Sequence, residues 1–294
     1  MRQKVKKAII LTAGLGTRFL PLSKVINKEF WPLVDKPIIQ YIIEEAAQAN
    51  LKQIIFVLRP NDKTLINYFQ RNPYLEKILK KKNDVKLLTA LKELQNLAKR
   101  LSFSYVYQKQ PLGDGQAVKQ AEKLAQKQPC LVLFSDDVVE SKISCAQQLI
   151  KVFNQYQKPV IALAKLPPEK LSSYGIVKAK KIKPRLYQIE GIIEKPKPNE
   201  APSNLAVVGK YVIDALVFNY LNKKITTKGE IRLSGIFNEM IKNGLTIYGY
   251  EFKGKWLECG NKLSYLKSNL YLSLKHPQFG KELKKFINQE KILN

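Results

Sequence analysis

The chain alternates short apolar runs of strand length with longer segments of helical periodicity, and this alternation limits its fold more than any other feature. Strands that alternate with helices build βαβ units, so we expect an α/β fold with a Rossmann-like, mainly parallel or mixed sheet flanked by helices. The predicted strands are Ala8–Thr12, Gln53–Leu58, Phe103–Tyr107, Leu131–Phe134 and Val160–Ala164. The predicted helices are Pro37–Ala49, Leu75–Arg100, Gln116–Gln126 and Ser144–Gln157.

Beyond residue 164 the chain is richer in proline and its predicted strands are short. These strands are Gly175–Lys178, Tyr187–Glu194 and Leu205–Tyr211. We expect one domain over residues 1–294, made of a first part (1–164), a strand-rich second part (165–260) and C-terminal helices (261–294).

Histidine and cysteine are too scarce for several kinds of catalysis. His276 is the only histidine and is far from every motif, which excludes Ser-His-Asp and Cys-His machinery and H-E-x-x-H metal sites. Cys130, Cys145 and Cys259 form no C-x-x-C pair, so we expect buried small apolar residues rather than disulfides or a zinc site. Any catalysis must therefore proceed without imidazole.

The chain is strongly basic, with 51 Lys and Arg residues against 24 Asp and Glu residues and a formal net charge of +27. The lysines are scattered and not interleaved with aromatic residues, so we interpret most of them as a solvated surface and expect no nucleic-acid partner. A polyanion-binding protein remains the alternative. No apolar run is long enough to predict a membrane span, and the basic start leads into a first strand, so we expect a cytoplasmic protein.

The segment Ala13-Gly14-Leu15-Gly16-Thr17-Arg18 directly follows the first predicted strand. Its spacing is not that of a P-loop, and Phe19 occupies the third glycine position of G-x-G-x-x-G. Glycines let backbone N–H groups approach a phosphate closely, and an arginine adds a forked, permanently charged donor. The segment is therefore either a phosphate-binding loop or a structural turn at the end of a strand.

Further motifs follow this loop in order, over roughly residues 5–280. They are Leu20-Pro21, Lys28-Glu29, residues 32–41, Gln108, Gly113, Gly115, Asp136, Tyr174-Gly175, Glu194-Lys195-Pro196, residues 201–209, Gly229-Glu230-Ile231 and residues 259–263. Together they resemble the bacterial UTP:glucose-1-phosphate uridylyltransferases, or UDP-glucose pyrophosphorylases. The stretches 32–41 and 201–211 resemble this subfamily in particular, whereas G-x-G-T-R and Glu-Lys-Pro are shared by sugar nucleotidyltransferases in general.

The resemblance implies a nucleotidyltransferase, glycosyltransferase-A-like fold in which residues 1–164 bind the nucleotide and residues 165–260 bind the sugar phosphate. It implies that UTP and glucose 1-phosphate react to UDP-glucose and pyrophosphate, with Mg²⁺ as the cofactor, in a homo-oligomer. A phosphate monoester has its second pKa near ~6, so the attacking oxygen is ionised at neutral pH without a general base. This chemistry agrees with the single histidine.

The resemblance also implies roles for individual residues. The catalytic positions are Arg18 and Lys28 at the triphosphate, Asp136, and Lys195 at the sugar phosphate. The positions that bind UTP are Ala13, Gly14, Gly16, and the base-reading Gln108 and Gly113. The positions that bind glucose 1-phosphate are Gly175, Glu194, Lys195 and Gly209, and the metal ligands are Asp136 and Glu258.

Four features depart from the family pattern. Glu258 replaces a second metal-binding Asp, and residues 112–116 lack the usual cation and imidazole of the uridine loop but gain a carboxylate. Asn27 replaces a proline, and Gly235 stands where an Asp is usual. These departures leave open a related nucleotidyltransferase with another base or sugar, or a catalytically impaired nucleotide-sugar-binding homologue.

Overall fold

The computed structural model describes residues 2–223 and 229–292. Asn294, at the end of the predicted last helix, lies outside the described residues. The described part contains a nine-stranded mixed sheet with a buried apolar core on each face, so the predicted Rossmann-like α/β fold is confirmed. None of the described helices is both long and apolar enough to cross a membrane.

The elements follow one another along the chain as strands, helices and short 3-10 turns. The strands are β1 (Lys7–Leu11), β2 (Pro32–Leu33), β3 (Lys36–Pro37), β4 (Gln53–Leu58), β5 (Ser102–Tyr107), β6 (Cys130–Phe134), β7 (Asp137–Glu140), β8 (Val160–Lys165), β9 (Gly175–Lys183), β10 (Leu186–Glu194), β11 (Leu205–Ile213), β12 (Tyr248–Glu251) and β13 (Lys255–Glu258). The helices are α1 (Ile38–Gln48), α2 (Thr64–Phe69), α3 (Pro73–Lys81), α4 (Val85–Lys99), α5 (Asp114–Gln120), α6 (Glu122–Ala125), α7 (Cys145–Tyr156), α8 (Ala215–Lys223), α9 (Leu233–Lys242), α10 (Lys262–Lys275) and α11 (Gly280–Gln289).

The large sheet has the strand order β5-β4-β1-β6-β11-β8-β12-β10-β9. Strands β5, β4, β1 and β6 are parallel, whereas β11 runs antiparallel to both β6 and β8. Successive side chains of a strand point to opposite faces, and in β1 Ala8 and Ile10 join one core while Ile9 joins the other. The central strands are mostly apolar because both faces of the sheet are covered.

The predicted helix Leu75–Arg100 is wrong as a single element, because it is split into α3 and α4. The break lies at Asn83, which has a φ of 54°, in the left-handed region that asparagine tolerates. The side chain of Asp84 then accepts a hydrogen bond from the Leu87 N–H at 3.0 Å and caps α4. Helical periodicity continues across the break, but these two residues end one helix and begin another.

Other boundaries also differ from the predictions. The predicted helix Gln116–Gln126 is two short helices, α5 and α6. The predicted helix Pro37–Ala49 is α1, with Pro37 at the N-cap position and no side-chain cap. The second part of the chain contributes β9, β10, β11 and β12 to the large sheet, and it includes the unpredicted helices α8 and α9. The unpredicted strands β7 and β13 form a separate antiparallel pair.

Candidate active site

The candidate site lies at the carboxyl ends of two adjacent strands. In the parallel pair β1–β6, Leu11 is opposite Phe134, so the chain leaves both strands at the same edge. The glycine loop follows β1, and Asp136 follows β6 after one residue. The carboxyl ends of such strands are the usual ligand-binding edge of an open α/β sheet.

The glycine loop packs closely against Lys28. Gly16 has a φ of 63°, and a Cβ there would lie 3.3 Å from the Cβ of Ser23. A Cβ at Gly14 would lie 3.9 Å from Cε of Lys28, so the lysine chain runs alongside the loop. A side chain larger than hydrogen at Gly16 would be strained in backbone conformation and tight in space.

The ammonium group of Lys28 forms an ion pair with the carboxylate of Asp136. Burial acts to lower the pKa of Lys28, but the charge of Asp136 and its hydrogen bond outweigh this effect, so the pKa is raised above its ordinary value. Lys28 therefore remains a cation at the mouth of the site. Beside it, Arg18 donates from Nη1 to the carbonyl of Gly260 at 3.3 Å.

A cavity of about 340 Å³ opens over the glycine loop, and we call it the nucleotide cavity after the residues that the resemblance assigned to UTP. We use this name for the space lined by Ala13, Gly14, Gly16, Lys28, Gln108, Gly113 and Asp136, together with their neighbours. The five positions that the resemblance assigned to UTP binding line this cavity, and so does Lys28, but Arg18 does not. Asp136 also lines the adjoining cavity described below, so the two spaces meet at its carboxylate.

The side chain of Gln108 is held by two acceptors at the base of the nucleotide cavity. Its Nε2 donates to the carbonyl of Gly113 at 2.9 Å and to Oε1 of Gln116 at 2.6 Å. Gln116 is one of the residues of the altered loop 112–116. Where the family pattern has an imidazole, this chain therefore has an amide that contacts Gln108.

The added carboxylate of this loop, Asp114, supports a helix. Its Oδ1 accepts a hydrogen bond of 2.6 Å from the N–H of Leu233, the first residue of α9. Burial raises the pKa of Asp114 to about 6, and the nearby charge of Glu194 acts in the same direction. Asp114 therefore joins the loop to the second part of the chain.

The adjoining sugar cavity has a volume of about 280 Å³. It is lined by Arg18, Asp136, Gly175, Glu194, Lys195, Gly209 and Glu258, among others. The structure thus brings together all the residues that the resemblance assigned to glucose 1-phosphate and to the metal. Arg18 lines this cavity rather than the nucleotide cavity.

Glycine is required at two positions around the sugar cavity. Gly175 pairs with Glu194 across β9 and β10, and a Cβ at Gly175 would lie 3.1 Å from Oε1 of Glu194. A Cβ at Gly209 would lie 2.4 Å from Oδ2 of Asp137 and therefore cannot be accommodated. Lys195 follows with a φ of 47°, and its N–H donates to the carbonyl of Tyr174 at 3.0 Å.

Asp137 is a residue of the site that sequence reasoning missed. It is buried, and its carboxylate accepts from the indole N–H of Trp256 at 2.7 Å and from the N–H of Gly209 at 3.0 Å. Burial raises its pKa to about 7, and the charge of Asp136 adds to this rise while Lys210 opposes it. Asp137 joins β7, β11 and β13 beneath the sugar cavity.

Behind Asp137 lies a buried ion pair that the sequence did not predict. Nζ of Lys210 is 2.7 Å from Oε2 of Glu45, and the side chain of Lys210 is completely buried. The other oxygen of Glu45 accepts from the N–H of Ala146 at 2.9 Å, near the start of α7. Removing one partner of such a pair leaves an uncompensated buried charge, which is strongly destabilising.

Asp136 and Glu258 fit a divalent metal ion. A Cβ at Gly260 would lie 3.0 Å from Oδ2 of Asp136 and 3.3 Å from Oε1 of Glu258, so both carboxylates face the space beside this glycine. Within residues 2–223 and 229–292 no group of three or more His, Cys, Asp or Glu residues could hold a metal by itself. Mg²⁺ commonly takes one or two carboxylates together with substrate phosphates, so two are sufficient.

The longer side chain of Glu258 is held by neighbours. Its Oε2 accepts from the hydroxyl of Tyr174 at 2.6 Å, and both oxygens accept from Nδ2 of Asn261 at 3.1 Å. Burial, followed by the hydrogen bond to Glu258, raises the pKa of Tyr174 far above its ordinary value, so the hydroxyl keeps its proton. Glu258 is thereby fixed at the edge of the metal space.

The structure also shows where the cysteines, the histidine and two of the departures from the family pattern lie. The three cysteines are free and buried, as predicted. His276 lies outside the site, with Nε2 3.3 Å from Oδ2 of Asp35 and its ring stacked on Phe279. Asn27 donates to Oδ2 of Asp62 at 2.5 Å, and Gly235 lies within α9 with no atom near its missing Cβ.

The mixed α/β sheet thus carries a glycine loop, a Lys–Asp pair and two adjoining cavities. Nucleotidyl transferase is the family whose model matches residues 7–273, and the chain belongs to this family. Enzymes of this family generally use a divalent metal ion.

Sequence relatives and solved structures show which nucleotidyl transferases this chain is similar to. The chain is 36% identical over 288 residues to the UTP--glucose-1-phosphate uridylyltransferase of Staphylococcus epidermidis, covering 98% of this chain and 99% of the relative. It resembles the UTP-bound UGPase from Acinetobacter baumannii with a TM-score of 0.87 and 36% identity, covering 96% and 98% of the two chains. A UDP-glucose pyrophosphorylase complexed with UDP-glucose matches with a TM-score of 0.83 and 33% identity, covering 92% and 100%.

Proposed function

We propose that this protein transfers a uridylyl group from UTP to glucose 1-phosphate and releases UDP-glucose and pyrophosphate. The observation that carries this function is the position of Asp136, which lines both cavities and pairs with Lys28 where they meet. A group that is transferred between two substrates must move through the place where their two cavities meet. The relative from Staphylococcus epidermidis has this activity in its name, and the solved neighbours contain UTP and UDP-glucose.

Residues 1–164 supply the nucleotide site. Backbone groups of Ala13, Gly14 and Gly16 lie beside the nucleoside, where glycines permit close approach. Gln108 and Gly113 contact the base. Arg18 and Lys28 contact the triphosphate and offset its charge.

Residues 165–260 supply the sugar-phosphate site, and residues 261–294 support it from one side. Glu194 accepts hydrogen bonds from sugar hydroxyls, and Lys195 binds the phosphate through its ammonium group. Gly175 and Gly209 leave room for the sugar between β9 and β11. Among the described residues, Nζ of Lys195 has no carboxylate within ion-pair distance, which suits it to an incoming anion.

The reaction needs positioning and charge compensation more than proton transfer. The phosphate oxygen of glucose 1-phosphate attacks the α-phosphorus of UTP, and the bond to the leaving pyrophosphate breaks. The attacking phosphate is already ionised because its second pKa is near ~6. Arg18, Lys28 and Lys195 hold the reacting groups in line.

Mg²⁺ is the cofactor, and Asp136 and Glu258 are the residues that hold it. When bound, Mg²⁺ neutralises phosphate charge and stabilises the leaving pyrophosphate. Lys28 pairs with Asp136 and orients it, and Tyr174 and Asn261 orient Glu258.

The protein acts as a cytoplasmic homo-oligomer. Three leucines on one face of α10, Leu263, Leu266 and Leu270, are at least half exposed, and a second copy of the chain would bury them. The apolar run near the start of the chain forms β1, an interior strand of the large sheet.

Pyrophosphate release tests the function. UTP, dTTP, CTP and ATP are each offered with glucose 1-phosphate and Mg²⁺, and the sugar nucleotide is identified by mass spectrometry. We expect release with UTP and the mass of UDP-glucose. A preference for another nucleotide contradicts the uridylyl specificity, and no release with any nucleotide contradicts catalysis.

A further inference from the structure

A third cavity lies on the other side of the wall that bounds the sugar cavity. It has a volume of about 610 Å³, and we call it the basic cavity. Five cationic side chains line it against the carboxylates of Glu251 and Glu258. These cations are Lys165, Lys170, Arg185, Lys255 and Lys267.

The carboxylate of Glu251 forms ion pairs with two of these five cations. Its carboxylate lies 3.4 Å from Nζ of Lys165 and 3.5 Å from Nη1 of Arg185. Glu258 is held by Tyr174 and Asn261.

Three cations of the basic cavity therefore have no ion pair within the described part of the chain. They are Lys170, Lys255 and Lys267. Each comes from a different element: a 3-10 turn, β13 and α10. All three residues are exposed, so their charges are accessible to an incoming anion.

The wall of the basic cavity offers rings and hydroxyl groups beside the charges. Ser264, Lys267, Ser268 and Tyr271 are three or four residues apart and line the cavity from α10. Nζ of Lys255 lies 3.9 Å from the centre of the Tyr271 ring. Aromatic surface of this kind packs against the ring of a sugar or a base.

We propose that the basic cavity binds a small phosphorylated molecule, with its phosphate between Lys170, Lys255 and Lys267 and its ring against the aromatic wall. The volume lies within the range of about 300–1,000 Å³ that is usual for small-molecule sites. A nucleic acid would need cations arranged along an extended groove, whereas these converge on one concavity.

This site adjoins the active site through shared residues. Tyr174, Trp256 and Glu258 line both the basic cavity and the sugar cavity. Ser268 donates from its hydroxyl to the carbonyl of Glu258 at 2.9 Å, and Tyr174 donates to its carboxylate. An anion in the basic cavity therefore lies against residues that position Glu258.

Calorimetric titration with inorganic phosphate tests the proposal, at constant ionic strength and with the substrate site filled by UDP-glucose. The test variant is the triple change Lys170→Gln, Lys255→Gln and Lys267→Gln. The matched control changes three exposed lysines of α3 and α4, Lys81→Gln, Lys92→Gln and Lys99→Gln, and removes the same charge. We expect phosphate to bind the test variant at least about tenfold more weakly than the wild type or the control.

Equal phosphate affinity in the test and control variants overturns the proposal, and so does a response that does not saturate. Both variants should keep kcat/KM for UTP and glucose 1-phosphate, because none of these lysines lies in the substrate cavities. Should the triple variant fail to fold, the phosphate affinity of the single variant Lys267→Gln is compared with that of Lys92→Gln instead. Filling the substrate site with UDP-glucose rests on the proposed function. If UDP-glucose does not bind, the proposed function fails. The difference in phosphate affinity between the two variants still tests the basic cavity in that case.

Discussion

Oε1 of Gln116 lies 2.6 Å from Nε2 of Gln108, and the carbonyl of Gly113 takes the second donor of the same amide. A backbone carbonyl can only accept, so Gln108 turns its nitrogen to the loop and leaves its oxygen for a ligand of the nucleotide cavity. That oxygen matches the N3–H donor of uracil and mismatches the bare N3 of cytosine. Gly113 and Gln116 together hold the nitrogen of Gln108 towards the loop.

The change Gln116→Met keeps the length of the side chain but removes the acceptor. One neutral hydrogen bond is worth about 0.5–1.5 kcal/mol, so the ratio of kcat/KM for UTP over CTP should fall about 2- to 10-fold. Gln116→Glu retains an acceptor and should keep the ratio of the wild type. An unchanged UTP/CTP ratio in Gln116→Met would show that the hydrogen bond between Gln108 and Gln116 does not contribute to the choice of nucleotide.

Asp136→Asn keeps the shape of the side chain but removes its charge, and with it the ion pair with Lys28 and a metal ligand. Turnover should fall by at least about 100-fold, the scale of losing one preorganised electrostatic group. The melting temperature should stay close to that of the wild type. Near-normal turnover of the folded variant at modest Mg²⁺ concentration would refute the role of Asp136.

Lys195→Ala removes the cation assigned to the sugar phosphate. A charge-assisted hydrogen bond is worth ~1.5–3 kcal/mol, so kcat/KM for glucose 1-phosphate should fall by about 10- to 150-fold. UTP affinity, measured by calorimetry, should barely change. If UTP affinity fell and that of glucose 1-phosphate did not, Lys195 would belong to the nucleotide site.

Glu258 tests whether charge or length matters at the metal site. Its carboxylate extends ~1.5 Å farther than that of the Asp usual in the family, and oxygen ligands of either length suit Mg²⁺. Glu258→Asp should retain substantial activity, whereas Glu258→Gln should weaken the apparent Mg²⁺ affinity and slow turnover. A Mg²⁺ titration of Glu258→Gln that overlays the wild type would exclude Glu258 as a ligand.

Glu29 should make the stability of the fold depend on pH. Burial raises its pKa to about 7 from an ordinary 4.5, and within the described chain its Oε2 has no hydrogen-bond partner. The folded state therefore holds this proton more tightly than the unfolded state, and the free energy of unfolding falls as pH rises from about 4.5 to 7.

Glu29→Gln removes this loss of stability. The variant should gain in melting temperature relative to the wild type at pH 8, and the gain should be smaller at pH 5. The exposed Glu93→Gln is the matched control for the change in charge. A gain of the same size at both pH values would mean that ionisation of Glu29 costs the fold nothing.

The sequence predicted some residues of the candidate site but not others. The glycine loop could be found because it follows an apolar strand, whereas Asp136, Glu194 and Lys195 were assigned from the family resemblance. Asp137 could not, since its role depends on hydrogen bonds to Trp256 and Gly209, which are distant in the chain. No pattern in the sequence marks such a contact.

The buried pair of Lys210 and Glu45 was missed for the same reason. Each residue has an ordinary charged side chain, and only the packing of β11 against α1 makes both of them interior. The break at Asn83 was missed because helical periodicity continues through it.

The sequence by itself determined the α/β architecture and the position of the glycine loop after the first strand, because local apolar patterns and residue types specify these. Only the tertiary structure decided that Lys28 meets Asp136, that Tyr174 holds Glu258 and that Gln116 orients Gln108. Lys28 and Asp136 are 108 residues apart in the chain, and Tyr174 and Glu258 are 84 apart. Contacts over such separations depend on strand order and register, which no local pattern encodes.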